Sequence, residues 1–279
     1  MQHSVAPERE SKPKIVIFTD MDGTLLDPVT YSWKDAEPAL GQCRNRSIPV
    51  ILNSSKTRSE IDHFRQAADL SWPYVVENGG GIYFPSNSIL ADPAPSDQNE
   101  NLDQIAIGVS YSRLCEALKH ISAHTGLILK GFSQMSPDEI MALTGLNPDD
   151  ARRAATREFD EPFCLNRDTP HAVSRLRHAA GLLGLKITSG GRFYHLHGQF
   201  DKGTAVRLLS KRYGQVWKNI ETVGLGDSDN DIPMLEVVDT PIWVAPAGQQ
   251  VPGHIPGLRR SAFSGPKAWN QMVLSIINS

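Results

Sequence analysis

Residues 15–27 read IVIFTDMDGTLLD. Lys14 and the apolar residues after it, KIVIFT, form a short run with no polar alternation, which predicts a β-strand covered on both faces. Two aspartates follow at once. Residues two apart on a strand point the same way, so Asp20 and Asp22 share a side at the strand's end, and Gly23 lets the chain turn sharply away. Two carboxylates so placed repel each other unless a cation or a shared proton relieves them. Magnesium is the natural counter-ion where carboxylates meet phosphate. An acidic surface turn uses the same residue types, so the rest of the chain has to decide.

Around this stretch strands and helices alternate. SWKDAEPALGQCRN (32–45) predicts a helix opened by a capping-box pattern, Ser32 with Asp35. IPVILNS predicts a second buried strand, and KTRSEIDHFRQAADL a helix with Ile61, Phe64 and Ala68 on one face. PYVVENGGGIYF predicts strand, glycine turn, strand. This order implies an α/β fold with a parallel, doubly wound, Rossmann-like sheet. Residues 85–103, rich in Pro, Ser and Asn, read as a linker.

A block from 104 to 196 has another texture. IAIGVS (105–110) suits a strand, and YSRLCEALKHISAH puts Leu114, Leu118 and Ile121 on one helical face. Three helix starts repeat one device, an N-cap followed by proline: Ser136–Pro137, Asn147–Pro148 and Thr169–Pro170. LKITSGGRFYHLHG predicts two strands joined by a glycine turn. β/α alternation resumes with DKGTAVRLLSKRYG, ETVGLGDSDNDIPMLEVV, TPIWVA and SGPKAWNQMVLSII. The expected organisation is a core formed by residues 1–103 and 197–279, with an α+β domain inserted at 104–196.

Composition narrows the function classes. The chain has 279 residues, a net charge of −3 and three scattered cysteines. Nothing global points to nucleic acid or to an anionic membrane. The cysteines suit a reducing compartment better than a disulfide framework, and the polar N-terminal stretch lacks the apolar run of a secretory signal. A cytoplasmic location is expected, and the NRS and NSS glycosylation patterns at 45–47 and 53–55 are discounted.

Three further patches sit in register with the first. ILNSSKT ends a strand in Ser54, Ser55 and Lys56, where hydroxyls and helix-start amides suit phosphate. DKGTAV places Lys202 at a helix start, against the macrodipole, where an anion is needed to meet it. GLGDSDND gathers Asp227, Asp229 and Asp231 after another strand, which calls for a metal or full solvation. Each alone also reads as a cap, a solvated lysine or an acidic turn. Their recurrence at strand ends and helix starts favours one shared site.

DMDGT, NSSK, DKG and GLGDSDND, in this order, resemble the four motifs of the haloacid dehalogenase-like phosphatase superfamily. The insert after ENGGG resembles the branch with an α+β cap. GFSQMSPDEIMALTGL, REFDEPF, GGRFYHLHG and DIPMLEVVD resemble the mannosyl-3-phosphoglycerate phosphatase family, so the resemblance spans nearly the whole chain. It implies hydrolysis of mannosyl-3-phosphoglycerate to mannosylglycerate, a compatible solute, through an aspartyl-phosphate. Asp20 would be the nucleophile and Asp22 the general acid and base. Ser54 would bind the phosphoryl oxygens and Lys202 would neutralise the nucleophile. Mg2+ would be held by Asp20, the backbone carbonyl of Asp22 and Asp227, with Asp231 close by. Ser55, Lys56, Asn78, Gly79, Gln134, Met135, Arg192 and His195 are the expected substrate contacts. Gln134 stands where the family often has an acidic residue. Met141 and Met234 read as helix core.

The expected partner is a small phosphorylated sugar-glycerate, with no nucleic acid and no membrane; the sequence leaves the oligomeric state open. Glucosyl-3-phosphoglycerate or another sugar phosphate is the alternative substrate. A phosphomutase and a binding protein that has kept the fold are the rival classes. Release of inorganic phosphate separates both from a phosphatase.

Overall fold

A computed structural model describes residues 12–85, 88–90, 102–166, 168–190, 193–245, 248, 251 and 253–279. Most of the expected linker at 85–103 and of the N-terminal stretch, and Arg192, lie outside the described residues.

The elements, in order, are β1 (Lys14–Thr19), α1 (Glu37–Asn45), β2 (Val50–Leu52), α2 (Arg58–Ala67), β3 (Tyr74–Val76), β4 (Gly81–Pro85) and β5 (Leu102–Ala106). There follow α3 (Tyr111–Thr125), β6 (Leu129–Gly131), α4 (Pro137–Thr144), α5 (Pro148–Ala155), β7 (Asp160–Leu165), α6 (Pro170–Leu182), β8 (Lys186–Gly190) and β9 (Phe193–His197). The chain closes with α7 (Lys202–Trp217), β10 (Ile220–Gly226), α8 (Ile232–Leu235), β11 (Thr240–Trp243), β12 (Arg259–Arg260) and α9 (Gly265–Ile277).

A five-stranded parallel sheet has the order β12-β11-β10-β1-β2. β1 lies inside the sheet between β10 and β2, and its side chains alternate between two cores because strand residues alternate in direction. Ile17 packs with Leu40, Val223, Ile242 and Trp269 on the face covered by α1 and α9. Val16 and Phe18 pack with Val206, Leu209, Tyr213 and Leu235 on the face covered by α7 and α8. This is the doubly wound α/β arrangement that the unbroken apolar run of β1 implies. The edge strand β12 is two exposed arginines, a charge pattern that discourages further strand pairing. β3 joins β2 by a parallel bridge, Asn53 to Val75, and β3, β4 and β5 continue as an antiparallel ribbon.

Between β5 and α7 lies a second sheet, antiparallel, in the order β6-β7-β9-β8. One face carries Phe163, Leu196, Ile187 and Leu129, which pack with Leu114, Leu118 and Ile121 of α3 and Leu176 of α6. The register pairs Pro162 with His195 and Asp160 with His197, so these four share the opposite face. α4 and α5 form a small separate cluster around Phe132, Ile140 and Ala151. Ser136, Asn147 and Thr169 each cap their helix as the sequence predicts.

Two expectations need correction. The Ser32–Asp35 capping box does not form. α1 starts at Glu37, after a 3-10 turn, and no side chain caps it. Pro38 explains this: it is tolerated in the first turn, but in a helix begun at Trp33 it would fall in the interior, where it lacks an N–H and clashes. The strand expected at 105–110 runs instead from Leu102 to Ala106 and pairs with β4, so it crosses the expected boundary at 103/104. The chain then turns away, as Ile107 and Gly108 both donate N–H to the Gly80 carbonyl. Among the described residues no helix is long and apolar enough to cross a membrane.

Candidate active site

Three neighbouring parallel strands deliver their next residues to one edge. Thr19 is in register with Leu225 of β10 and with Leu52 of β2. Asp20, Ser54 and Asp227 therefore emerge side by side at the carboxyl ends of strands, where the sheet order switches direction and ligands bind. The Asp20 N–H donates to the Leu225 carbonyl at 2.9 Å. Trp269 Nε1 donates to Thr19 Oγ1 at 2.9 Å, and Thr19 Oγ1 donates to the Asp20 carbonyl at 2.8 Å. The residue is thus fixed from α9 as well as from the sheet.

Lys202 completes the centre. It opens α7 behind the N-cap Asp201, whose side chain accepts the Thr204 N–H at 2.8 Å. Its side chain is wholly buried, and Nζ donates to Asp20 Oδ1 and Asp231 Oδ1, each at 2.6 Å. Those carboxylates are the anions that its place at a helix N-terminus demands. Its pKa is raised: burial alone would lower it, and Asp20 and Asp231 more than reverse that. Asn53 Nδ2 donates to the Lys202 carbonyl at 3.1 Å and holds the helix start against β2.

The acidic loop after β10 is ordered by Asp231, whose Oδ2 accepts the N–H groups of Asp227 and Ser228, both at 3.0 Å. Thr24 Oγ1 donates to Asp227 Oδ1 at 2.9 Å. Gly23, at φ 81°, brings the turn so close that a Cβ there would overlap the Asp227 carboxylate. Asp229 is exposed and outside this group. Burial pushes the Asp20 carboxyl's pKa well up, with Lys202 opposing, and burial with Asp231 pushes Asp227 up to about 7.

Asp20, Asp227 and Asp231 each place a carboxylate oxygen within 4.8 Å of the others. An all-oxygen, multiply anionic set fits a hard divalent cation such as magnesium. The Asp22 carboxylate is not in this group. Its Oδ2 lies 3.0 Å from Lys56 Nζ, and the side chain is 41% exposed.

The expected binding residues divide. Ser54 is buried; its carbonyl accepts the Asn78 N–H at 2.9 Å, and its hydroxyl accepts the Lys56 N–H at 3.3 Å. Ser55 follows in the same loop, and its carbonyl accepts from Arg157. Lys56 lies between Asp22 and Glu60. Asn78 accepts from Asn230 Nδ2 at 3.0 Å, which links the β3 end to the acidic loop. Gly79, at φ 102°, lets the backbone meet the Asp201 carbonyl. His195 Nδ1 lies 2.7 Å from Asp160 Oδ2. Gln134 is exposed and turns its Oε1 back to accept the Gly131 N–H at 3.2 Å. Met135 packs against Phe132 and Ile140. Met234 is buried in the core, as expected.

The glycines of ENGGG do more than turn. Gly80 and Gly81 leave flat backbone on which Phe159 lies. Glu77 sits beside them, buried, at φ 49°, a conformation that costs a non-glycine residue about 1–2 kcal/mol. It is held there by a purpose: its Oε1 accepts the Glu158 N–H at 3.0 Å and its Oε2 the Phe159 N–H at 2.8 Å. Tyr83 Oη donates to Glu158 Oε2 at 2.6 Å. Residues 157–159 thus strap the second sheet to the first. Arg157 and Asp160 complete a buried polar group, and although burial would raise the Asp160 pKa, His195 and Arg157 hold it below the ordinary range. Sequence reasoning missed these roles. The available signal was REFDEPF itself, which places four charged residues at the start of a strand that has to be covered.

Burial pushes the Glu77 carboxyl up to about 7 from 4.5. A raised folded-state pKa gives stability that is full below the unfolded value and lost as pH rises through the folded one. Between about pH 4.5 and 7 the residue should remove about 3 kcal/mol. Chemical denaturation of wild type and Glu77→Gln at pH 5 and pH 8, without divalent metal, should show the difference between them moving toward the glutamine protein by that amount. A pH-independent difference contradicts the assignment.

Comparison with known proteins agrees with this geometry. The haloacid dehalogenase-like hydrolase family model matches residues 17–140 and 171–255. A glucosyl-3-phosphoglycerate/mannosyl-3-phosphoglycerate phosphatase from Methanococcoides burtonii is 38% identical over 268 residues, 95% of this chain and 97% of that protein. A mannosyl-3-phosphoglycerate phosphatase from Pyrococcus horikoshii is 35% identical over 228 residues, 80% of this chain and 88% of that one. Among solved structures, a Thermoplasma acidophilum protein superposes with a TM-score of 0.66 at 19% identity, covering 96% of this chain and all of that one. A Synechocystis sucrose-phosphatase bound to sucrose and phosphate gives 0.61 at 16% identity, covering 95% and 98%. At such identities the likeness is one of fold.

Proposed function

The chain belongs to the haloacid dehalogenase-like hydrolases, within the mannosyl-3-phosphoglycerate phosphatase family, and from that premise we propose that it hydrolyses mannosyl-3-phosphoglycerate to mannosylglycerate and phosphate. The observation that carries the reading is the buried Lys202 bridge between Asp20 and Asp231, set beside Asp227 and Ser54 at the carboxyl edge of the sheet.

In this reading Asp20 attacks phosphorus, forming an aspartyl-phosphate as the bond to the glycerate oxygen breaks. Asp22, half exposed and steered by Lys56, protonates that leaving oxygen and later takes a proton from the attacking water. Lys202 offsets charge on Asp20, and the Ser54 hydroxyl donates to a phosphoryl oxygen. A family member of this kind uses a divalent metal. We assign Mg2+, held by Asp20 and Asp227, with the Asp22 carbonyl as the expected backbone ligand. Asp231 supports the site by orienting Lys202 and the loop amides. Bound there, the ion would supply charge neutralisation for the transferring group.

We divide the chain into a hydrolase core and an inserted cap, moving the expected boundaries at 103/104 and 196/197 to the ends of β5 and β9, so that the core is 1–106 and 198–279 and the cap 107–197. On the cap we take the sheet face with His195 as the one that meets the substrate, and Ser55, Lys56, Asn78, Gly79, Gln134, Met135 and Arg192 remain the proposed contacts. His195 and Asn78 have the strongest support, since each is oriented by a partner. A cytoplasmic location suits the three free thiols, Cys43, Cys115 and Cys164.

Glucosyl-3-phosphoglycerate is the second reading, favoured by the double name of the Methanococcoides relative. Phosphate release with magnesium from both compounds and from a panel of simple sugar phosphates tests the proposal. We expect one of the two sugar-glycerates to exceed every simple phosphate by about a hundredfold in kcat/KM, since the cap contacts of a full substrate contribute several kcal/mol. Preference for simple sugar phosphates overturns it, and the absence of inorganic phosphate brings back a phosphomutase.

A further inference from the structure

We propose that Arg157 is a positioning residue that ties the phosphate-binding loop to His195 through Asp160. The two ends of this tie are a core loop and the face of the second sheet turned away from α3 and α6. Arg157 lies between α5 and β7 with its side chain 8% exposed. Its Nη1 donates to the Ser55 carbonyl at 3.1 Å and to Asp160 Oδ2 at 3.2 Å, and its Nε donates to the Ala154 carbonyl at 3.0 Å. The same Asp160 oxygen faces His195 Nδ1 at 2.7 Å. A carboxylate at that distance must meet an N–H, so the proton of a neutral His195 ring is on Nδ1 and Nε2 is the free acceptor.

Four groups therefore form one line: Ser55 carbonyl, Arg157, Asp160, His195. A planar guanidinium can satisfy three acceptors at fixed angles, which an ammonium on a flexible stem cannot. The surroundings make the line stiff. Thr57 Oγ1, at the start of α2 just beyond the loop, donates to the Arg153 carbonyl at 2.8 Å, a second tie between the same loop and the end of α5. Glu77 fixes the two amides that follow Arg157. Arg153, Arg157 and Asp160 fall between the two segments that the general family model matches, while Ser55, Thr57, Glu77 and His195 fall within them, so only the linking residues are peculiar to the insert. Its consequence is that His195 is presented to the leaving group only when the phosphate loop and the second sheet are docked. The leaving group's identity rests on the sugar-glycerate reading; the tie itself does not.

The test is steady-state kinetics of wild type, Arg157→Lys, His195→Ala and the double variant, on the ester the wild type prefers and on p-nitrophenyl phosphate, which is too small to engage the cap. Arg157→Lys should lower kcat/KM for the preferred ester about tenfold or more, as expected when a positioning contact is loosened, and should cost clearly less on p-nitrophenyl phosphate, which takes nothing from His195. The double variant should be no worse than His195→Ala. Equal losses on both esters, or additive losses, overturn the proposal. Should Arg157→Lys fail to fold, Asp160→Ala removes the shared acceptor, breaks the same line from its other side and must give the same pattern. A wild type with no preference among esters refutes the functional reading instead. The His195 ring then decides the tie alone: its 15N signals should report an Nδ1–H tautomer in wild type that is lost in Asp160→Ala and disturbed in Arg157→Lys. Unchanged ring signals overturn it.

Discussion

Asp20→Asn is expected to lower turnover by about four orders of magnitude or more, the scale seen when a covalent nucleophile is removed. The substitution keeps the shape of the side chain and its hydrogen bond to Lys202 but removes the charge that attacks phosphorus. Fold should survive, because Lys202 keeps Asp231 as a counter-ion, and replacing a buried carboxylate by an isosteric amide also removes a desolvation cost. Acid-quenched wild type should carry a phosphoryl group on the peptide spanning residues 15–27, and the variant should carry none. Near-normal turnover in Asp20→Asn would sink the nucleophile assignment.

The second large effect is at Lys202. Lys202→Met leaves a side chain of similar length without its cation, so Asp20 and Asp231 face each other unneutralised in a site with no water access to Nζ. Removing one partner from a buried ionic group costs about 3–5 kcal/mol. We expect a loss of that size near pH 8 and a smaller one near pH 5, where a carboxyl can take up a proton and relieve the repulsion. Turnover should fall about a hundredfold or more even at temperatures where the variant is folded, by analogy with the loss of a single charge-stabilising donor. Denaturation at both pH values with activity measured on the folded protein checks this. A variant as stable and as active as wild type removes Lys202 from the centre.

The gathering of acids and Lys202 at the sheet's carboxyl edge was legible because each of its parts is written locally. An unbroken apolar run ending in Asp20 is a buried interior strand with an acid at its carboxyl end. Lys202 behind an N-capping aspartate is a cation that needs an anion. Parallel register then brings these together with Ser54 and Asp227. The strap was not legible, since Glu77 reaches the Glu158 and Phe159 amides across about 80 residues, and no periodicity encodes a side chain that binds distant backbone. Ser32 misled for the opposite reason: a valid local cap signal was overruled by Pro38 six residues later. Gln134 and Met135 show a third limit, since a resemblance marks their segment without telling how Gln134, whose Oε1 accepts the Gly131 N–H, and Met135, packed on Phe132, would meet a substrate.

The seat for Phe159 on Gly80 and Gly81 has a consequence for anyone recombining such enzymes. The part of the second sheet nearest the core is matched to its base like a key to a keyway: two glycines without side chains, a strained glutamate and two strap amides. A chimera built by exchanging residues 107–197 alone would set a foreign strap on a base cut for this one. The exchangeable cassette is larger than the inserted segment and includes residues 77–81, so new specificities in this lineage are to be sought by transplanting both pieces together.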